Sequence, residues 1–417
     1  MGCDREGKPR LQPLRKVIED MSAPTKKSAP VAAEETTPET APAVEAAEPA
    51  LVPIPKVKDA WTVLATAVNG SRSVNELVTK AGLKGWNVRK EPAFSAVPTG
   101  KCAECEQAVG DKHIKGCYLA DAEEGETTDG IVDENDTTTD VEIPGYFGVI
   151  RTDPKTGEHE AIGATARKAT PVQIEDRASM LTEIAKQTKA KLSAAGPLNE
   201  NTAAFVSLKM PELIKVAKGS RGVKADELEM RLVLICSPVP GQQSEIRFSA
   251  IRPKSATVQH FPIEPLLLEG DSTVDTRLTE SSEAVARVQS VMEELSGTAS
   301  KMMGQKMTLK EFNELCYQLW IRPQETANTW LKNQHEARTA VLQALFLGQY
   351  DLFEGIGNTR WAAWQAVQTV AEHMPHVENK ADDKEAELRR RAEQALFGAN
   401  AKAGGRVSAK AFSLLTD

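Results

Sequence analysis

Three of the chain's six cysteines fall in one short stretch, KCAECEQAVGDKHIKGC, with a histidine among them. Cys102, Cys105, His113 and Cys117 follow the spacing C-x2-C-x7-H-x3-C, and soft thiolates plus one imidazole at such spacing suit tetrahedral zinc. Four ligands close the shell, which describes a structural staple and leaves no open position for a catalytic water. The competing reading is a reactive Cys102/Cys105 pair beside a surface histidine. Lys101, Lys112 and Lys115 flank the cluster and suit a phosphate-facing ribbon.

A second constellation is basic. Arg247, Arg252 and Lys254 lie on or just past a strand-like run in which Phe248 and Ala250 alternate with Arg247 and Ser249. Arg247 is expected to face away from the packed side, where such a row would contact a nucleic-acid backbone. A solvated face with cross-strand pairs to glutamates is the competing reading. Trp361, Trp364, Val367 and Val370 form a helical stripe that belongs in a core, and His373 and His376 read as cations near a helix C-terminus. The phosphate loop, dinucleotide fingerprint, nucleophile elbow and H-E-x-x-H patterns are all missing from the sequence, and no catalytic residue is expected.

The elements that must position these groups are α+β. Two strands around Asp153-Pro154-Lys155-Thr156-Gly157 form a hairpin, a helix opens at Thr170-Pro171-Val172-Gln173, and three strands follow at 203–208, 231–236 and 244–251. That order predicts an antiparallel sheet with one packed helix. From 271 onward, apolar residues recur at three- and four-residue spacing and predict a C-terminal helical region. Residues 1–56 read as a disordered tail, because Ala, Pro, Glu and Thr offer too little apolar surface to offset chain entropy. The expected division is therefore a tail at 1–56, an α+β core at 57–270 and helices at 271–417. A zinc-like loop (100–120) and an acidic linker (121–142) are inserted in the core. Met21 is the favoured start over Met1.

Charge sharpens that division. The net charge is −8, yet residues 121–142 hold ten acids and no Lys or Arg, so the rest of the chain is slightly basic. The acidity is therefore no argument against an anionic partner. No apolar run approaches the length of a membrane span. Cys236 and Cys316 sit in apolar patterns and read as buried free thiols, so a reducing cytoplasm is the expected home.

Several blocks in order carry a resemblance. Leu83-Lys84-Gly85-Trp86-Asn87-Val88, Ile143 to Arg151, Ala169 to Gln173, Arg247 to Arg252, Gly357 to Val367 and Leu396-Phe397-Gly398 are similar to signatures of the phage/plasmid-like family of unknown function. The resemblance runs from about Trp61 to Leu415. It implies a mobile-element protein of a bacterial host and brings no catalytic residue with it. Where the family has a His-Asp-Gly type turn this chain has Cys236-Ser237-Pro238, and a Cys-Gln-Asn run is replaced by Pro253-Lys254-Ser255. The expected role is a non-catalytic protein of replication or recombination that binds zinc and single-stranded DNA or another nucleic acid, away from membranes. A homo-oligomer or a host protein is the alternative partner. An enzyme whose site assembles from distant residues is the third reading.

Overall fold

The computed structural model describes residues 58–98, 138–216 apart from 167 and 169, 225–268, 273–320, 324, 327–373, 384–397 and 404–416. The fold is α+β and every strand pairing is antiparallel. The larger sheet runs in the order β1 (Ala67–Val68), β5 (Lys191–Leu198), β6 (Ala203–Val216), β7 (Asp226–Cys236), β8 (Glu245–Arg252) and β10 (Leu266–Leu267). Strand β9 (Thr257–Gln259) also pairs with β8. A smaller sheet joins β2 (Arg89–Pro98), β3 (Thr138–Thr152) and β4 (His159–Thr165).

Alternation, broken by register shifts at Leu192/Ala194 and Lys209/Leu213, gives the large sheet two packed faces. Val206 and Leu208 of β6, Leu232 and Leu234 of β7, and Ile246, Phe248 and Ala250 of β8 point into the principal apolar cluster. That cluster also takes Ile184 of α4 (Met180–Thr188), Val288 of α5 (Val274–Gly304), Phe312 of α6 (Leu309–Leu319), Leu345 of α7 (Thr329–Phe346) and Trp364 of α8 (Arg360–His373). The opposite face carries Ala194, Phe205, Val233 and Ile251, against Trp61 of α1 (Ala60–Leu64) and Ala392 and Leu396 of α9 (Lys384–Phe397). This second face is partly polar. Asp59 caps α1 through Thr62 N and also accepts from both Arg231 Nη atoms at 3.0 and 3.2 Å, which fixes α1 on the sheet. Trp61 adds an indole hydrogen bond to Ser249 Oγ at 2.9 Å.

Some local signals took other roles. Ser73 caps α2 (Val74–Lys80) through Glu76 N, but the Glu76 carboxylate accepts from Arg72 N instead of closing a capping box. The helix expected from Thr170 starts at Ile174, as α3 (Ile174–Ala178) followed by α4. Gln173 does not cap it; its amide exchanges two hydrogen bonds with the Val88 backbone, at 3.0 and 2.7 Å. Strand β3 begins at Thr138, so the last residues of the expected acidic linker are strand. Strand β5 requires Gly196, because a Cβ there would lie 2.9 Å from Leu64 O, where the chain leaves α1.

One ion pair ties the sheet to the helical region. Arg252 and Asp226 have no exposed side-chain surface, and Arg252 Nε reaches Asp226 Oδ2 at 2.6 Å. The same carboxylate oxygen accepts from Trp361 Nε1 at 3.0 Å, and Arg252 Nη2 donates to Leu352 O at 2.6 Å. Removing one partner leaves a buried charge uncompensated, which costs about 3–5 kcal/mol. Asp226→Ala should therefore lower unfolding stability by about that amount in urea titrations followed by circular dichroism. Asp226→Leu combined with Arg252→Met should recover most of the loss, because an apolar pair of similar volume avoids the desolvation penalty.

Candidate functional site

The expected zinc ligands Cys102, Cys105, His113 and Cys117 lie outside the described residues, as do the N-terminal tail and most of the acidic linker. Among the described residues no group of three or more His, Cys, Asp or Glu could hold a metal ion. Cys236 and Cys316 are buried free thiols, both pushed up to about 12 by burial, so neither is a nucleophile near neutral pH.

The three basic residues do not form one open row. Arg247 lies on the α9 side of the sheet, half-buried. Its Nη1 donates to Leu396 O at 3.0 Å and its guanidinium stacks 5.0 Å from the Phe397 ring centre. Arg252 shares the parity of Phe248 and Ala250, points into the core and meets Asp226. Only Lys254 is substantially exposed, with its Nζ 3.9 Å from Asp226 Oδ1. The alternation that turns Phe248 inward also turns Arg252 inward, a signal present in the sequence; the distant partner Asp226 had no such signal.

Two other features stand out. The first is a β-ribbon. Strand β4 pairs with β3 only from Phe147 to Thr152, while β2 continues against β3 out to Pro98 and Thr138. Among the described residues the small sheet is thus two-stranded beyond Phe147, and a two-stranded ribbon buries little of its own surface. The ladder jumps from Pro92–Phe147 to Phe94–Glu142, which leaves Ile143 to Tyr146 in a bulge with Gly145 at φ 78°. Phe94 is 55% exposed and Tyr146 53%, with Val141 and Ile143 also open to solvent. The Cys102–Cys117 stretch lies in the chain between these two strands.

The second feature is a polar seam between β9 and α8. Gln368 Oε1 accepts from His260 N at 3.0 Å and Glu372 Oε2 accepts from Val258 N at 3.0 Å, so side chains of α8 satisfy backbone donors along this strand. Gln259 bonds both Gln365 and Gln368. His373, expected as a cation at the helix end, is buried: its Nε2 donates to Ser255 O at 2.9 Å, and burial lowers it to about 4. His260 is lowered to about 4 by burial as well. Burial raises Glu372 well above the ordinary carboxylate value; the Val258 N–H partly opposes this and the Asp59 charge adds to it. Glu372 and His373 also line a cleft of about 190 Å³ with Lys58, Ala60, Val63, Leu388, Arg391, Ala392 and Ala395.

The helical region that carries α8 and α9 has a counterpart among known families. Residues 271–395 match the family model described as Domain of unknown function (DUF932). The match covers α5 through most of α9, including Trp361, Glu372 and the α9 wall of the cleft, and it names no activity. No curated protein and no solved structure shows a significant match to the chain. Among the described residues, no helix is long and apolar enough to cross a membrane.

The seam sets a pH dependence. His260 and His373 take up a proton less readily when folded, so the stability they support is present above about 6.5 and is lost as pH falls through about 4. Glu372 keeps its proton longer when folded, so its contribution is present below 4.5 and is lost as pH rises through its raised value. Urea midpoints should therefore rise as pH climbs from 4 to about 6.5, with the loss of the Glu372 contribution opposing that rise as pH climbs from 4.5 towards its raised value. Glu372→Gln should remove the opposing loss and leave the acid limb in place.

Proposed function

We propose that this chain is a non-catalytic, nucleic-acid-associated protein of a phage or plasmid, acting in replication or recombination, and that it takes single-stranded DNA along the β2–β3 ribbon. The supporting observation is the exposure of Phe94 and Tyr146 on a ribbon whose two strands flank the Cys/His segment. Aromatic faces on an open β-surface stack unpaired bases whatever their sequence. The mobile-element attribution rests on the ordered sequence blocks between Trp61 and Leu415.

Stacking, not phosphate contact, is the mode these residues favour. Asp140 and Glu142 stand exposed on the same ribbon and repel phosphate, while Arg247 is engaged by α9 and Arg252 by Asp226. Phe94→Ala and Tyr146→Ala should each weaken binding to single-stranded DNA by about 1–3 kcal/mol in fluorescence-anisotropy titrations, similarly for all sequences. The log–log salt slope should correspond to only about one or two phosphates, and Lys254→Ala should change it little. A protein partner is the second reading, favoured by the aliphatic Val141 and Ile143 on the same surface. Absence of DNA binding, with copurification of a host protein that depends on Val141 and Ile143, would select it.

The zinc reading belongs to the same proposal, since thiolates of Cys102, Cys105 and Cys117 with His113 would staple the segment between the ribbon strands. Metal analysis of purified protein should give one zinc per chain. Cys102→Ser with Cys105→Ser should abolish it while the far-ultraviolet circular dichroism changes little, because the described sheet and helical cores are packed from residues elsewhere in the chain.

A further inference from the structure

The cleft at the end of α8 shares no lining residue with the β2–β3 ribbon. Its walls come from α1 (Ala60, Val63) and α9 (Leu388, Ala392, Ala395), all small or aliphatic. Its polar groups divide by position. Lys58 is exposed and makes no ion pair among the described residues. Arg391 is half-buried, with its Nε held 2.7 Å from Glu387 Oε1, which fixes the guanidinium beside the opening. Glu372 is half-buried and its Oε2 is occupied by the Val258 N–H. An apolar-walled space of about 190 Å³ is slightly larger than a cavity that accepts benzene, on the order of 150 Å³. That suits a ligand with a short aliphatic body.

We propose that this cleft binds a small organic anion of the short-chain monocarboxylate class, with the chain against Val63, Leu388 and Ala392 and the head group facing Lys58 and Arg391. Two cations around a mostly apolar hollow select against amines and leave a neutral alcohol without its best partner. Glu372 is turned to the Val258 N–H through its Oε2, and burial raises it well above the ordinary carboxylate value, which disfavours a second negative charge beside the head group. Arg391 and Glu387 form a preset pair, so binding orders one flexible side chain, that of Lys58.

Hexanoate is the probe, titrated calorimetrically into the full chain at neutral pH, with hexylamine as the opposite-charge control. Saturable hexanoate binding with none for hexylamine is expected. Lys58→Glu, an exposed change that leaves the cores intact, should weaken hexanoate about tenfold or more. Ala392→Leu should fill the cleft and abolish binding, and Glu372→Gln should stay within about twofold of the parent, since its amide can accept from Val258 N–H without a charge. Failure of hexanoate to saturate, equal binding of hexylamine, or hexanoate affinity unchanged in Lys58→Glu would overturn the proposal. Should Ala392→Leu fail to fold, the Lys58→Glu and hexylamine arms still decide it.

Discussion

The buried contact of Arg252 with Asp226 is the constraint around which the rest is arranged. It joins the end of β8 to the start of β7, and through Trp361 and Leu352 O it reaches α8 and the short 3-10 turn Asp351–Phe353. Phe353 stacks on the guanidinium, with 5.0 Å between the charge centre and the ring centre. Asp226 Oδ1 and Arg252 Nη1 have no hydrogen-bond partner, so the pair is held without full satisfaction of either ion. A pair of this kind adds little stability over an apolar substitute. Its consequence is placement: α8 can dock on this sheet in one position, with Trp361 over the carboxylate.

From that position α8 deals with a problem common to open sheets. Strand β9 lies beside β8 as a three-residue addition, and its outward N–H groups would template another strand. Glu372 and Gln368 accept those donors, and Gln259 is held between Gln365 and Gln368. The two neutral histidines and the raised carboxyl follow from burying this seam. Perturbed titratable groups in a hollow commonly mark function. Here burial in the seam supplies the perturbation and the backbone hydrogen bonds of Glu372 and His373 partly oppose it, so the shifts have a structural reason and only the shared edge with the cleft gives these residues a ligand-facing role.

Much of the architecture is legible in the sequence, and the reasons differ by element. The central parts of β6 to β8 announce themselves because both sheet faces are packed there with large apolar residues, whereas β6 runs on past the expected Leu208 to Val216 and β7 begins before the expected Arg231, at Asp226. The helical region reads clearly from its apolar spacing, and Thr308 with Glu311 forms a complete capping box. Strand β5 is hidden: Ala, Gly and Pro have low strand propensity, and Gly196 is required by the close passage of Leu64 O, a tertiary fact. The helix α10 (Gly404–Thr416) falls within the region expected to be helical and buries Ala411 and Leu415. At the sites, a basic run was visible but its partners were not. Asp226, Leu396 O and Phe397 are remote in sequence, and they decide that Arg252 and Arg247 act within the fold.

Among the described residues the ribbon is one place where aromatics stand open to solvent: a two-stranded ladder with a Pro144-Gly145 bulge holds Phe94 and Tyr146 exposed. Photocrosslinking tests its role directly. The full chain would be irradiated with an oligonucleotide carrying photoreactive thymine analogues, and the adducts located by peptide mass spectrometry. Adducts on the peptides that contain Phe94 and Tyr146, competed away by unlabelled single strands, are the predicted result. Adducts confined to the helical region, or none above background, would contradict the ribbon as a nucleic-acid surface.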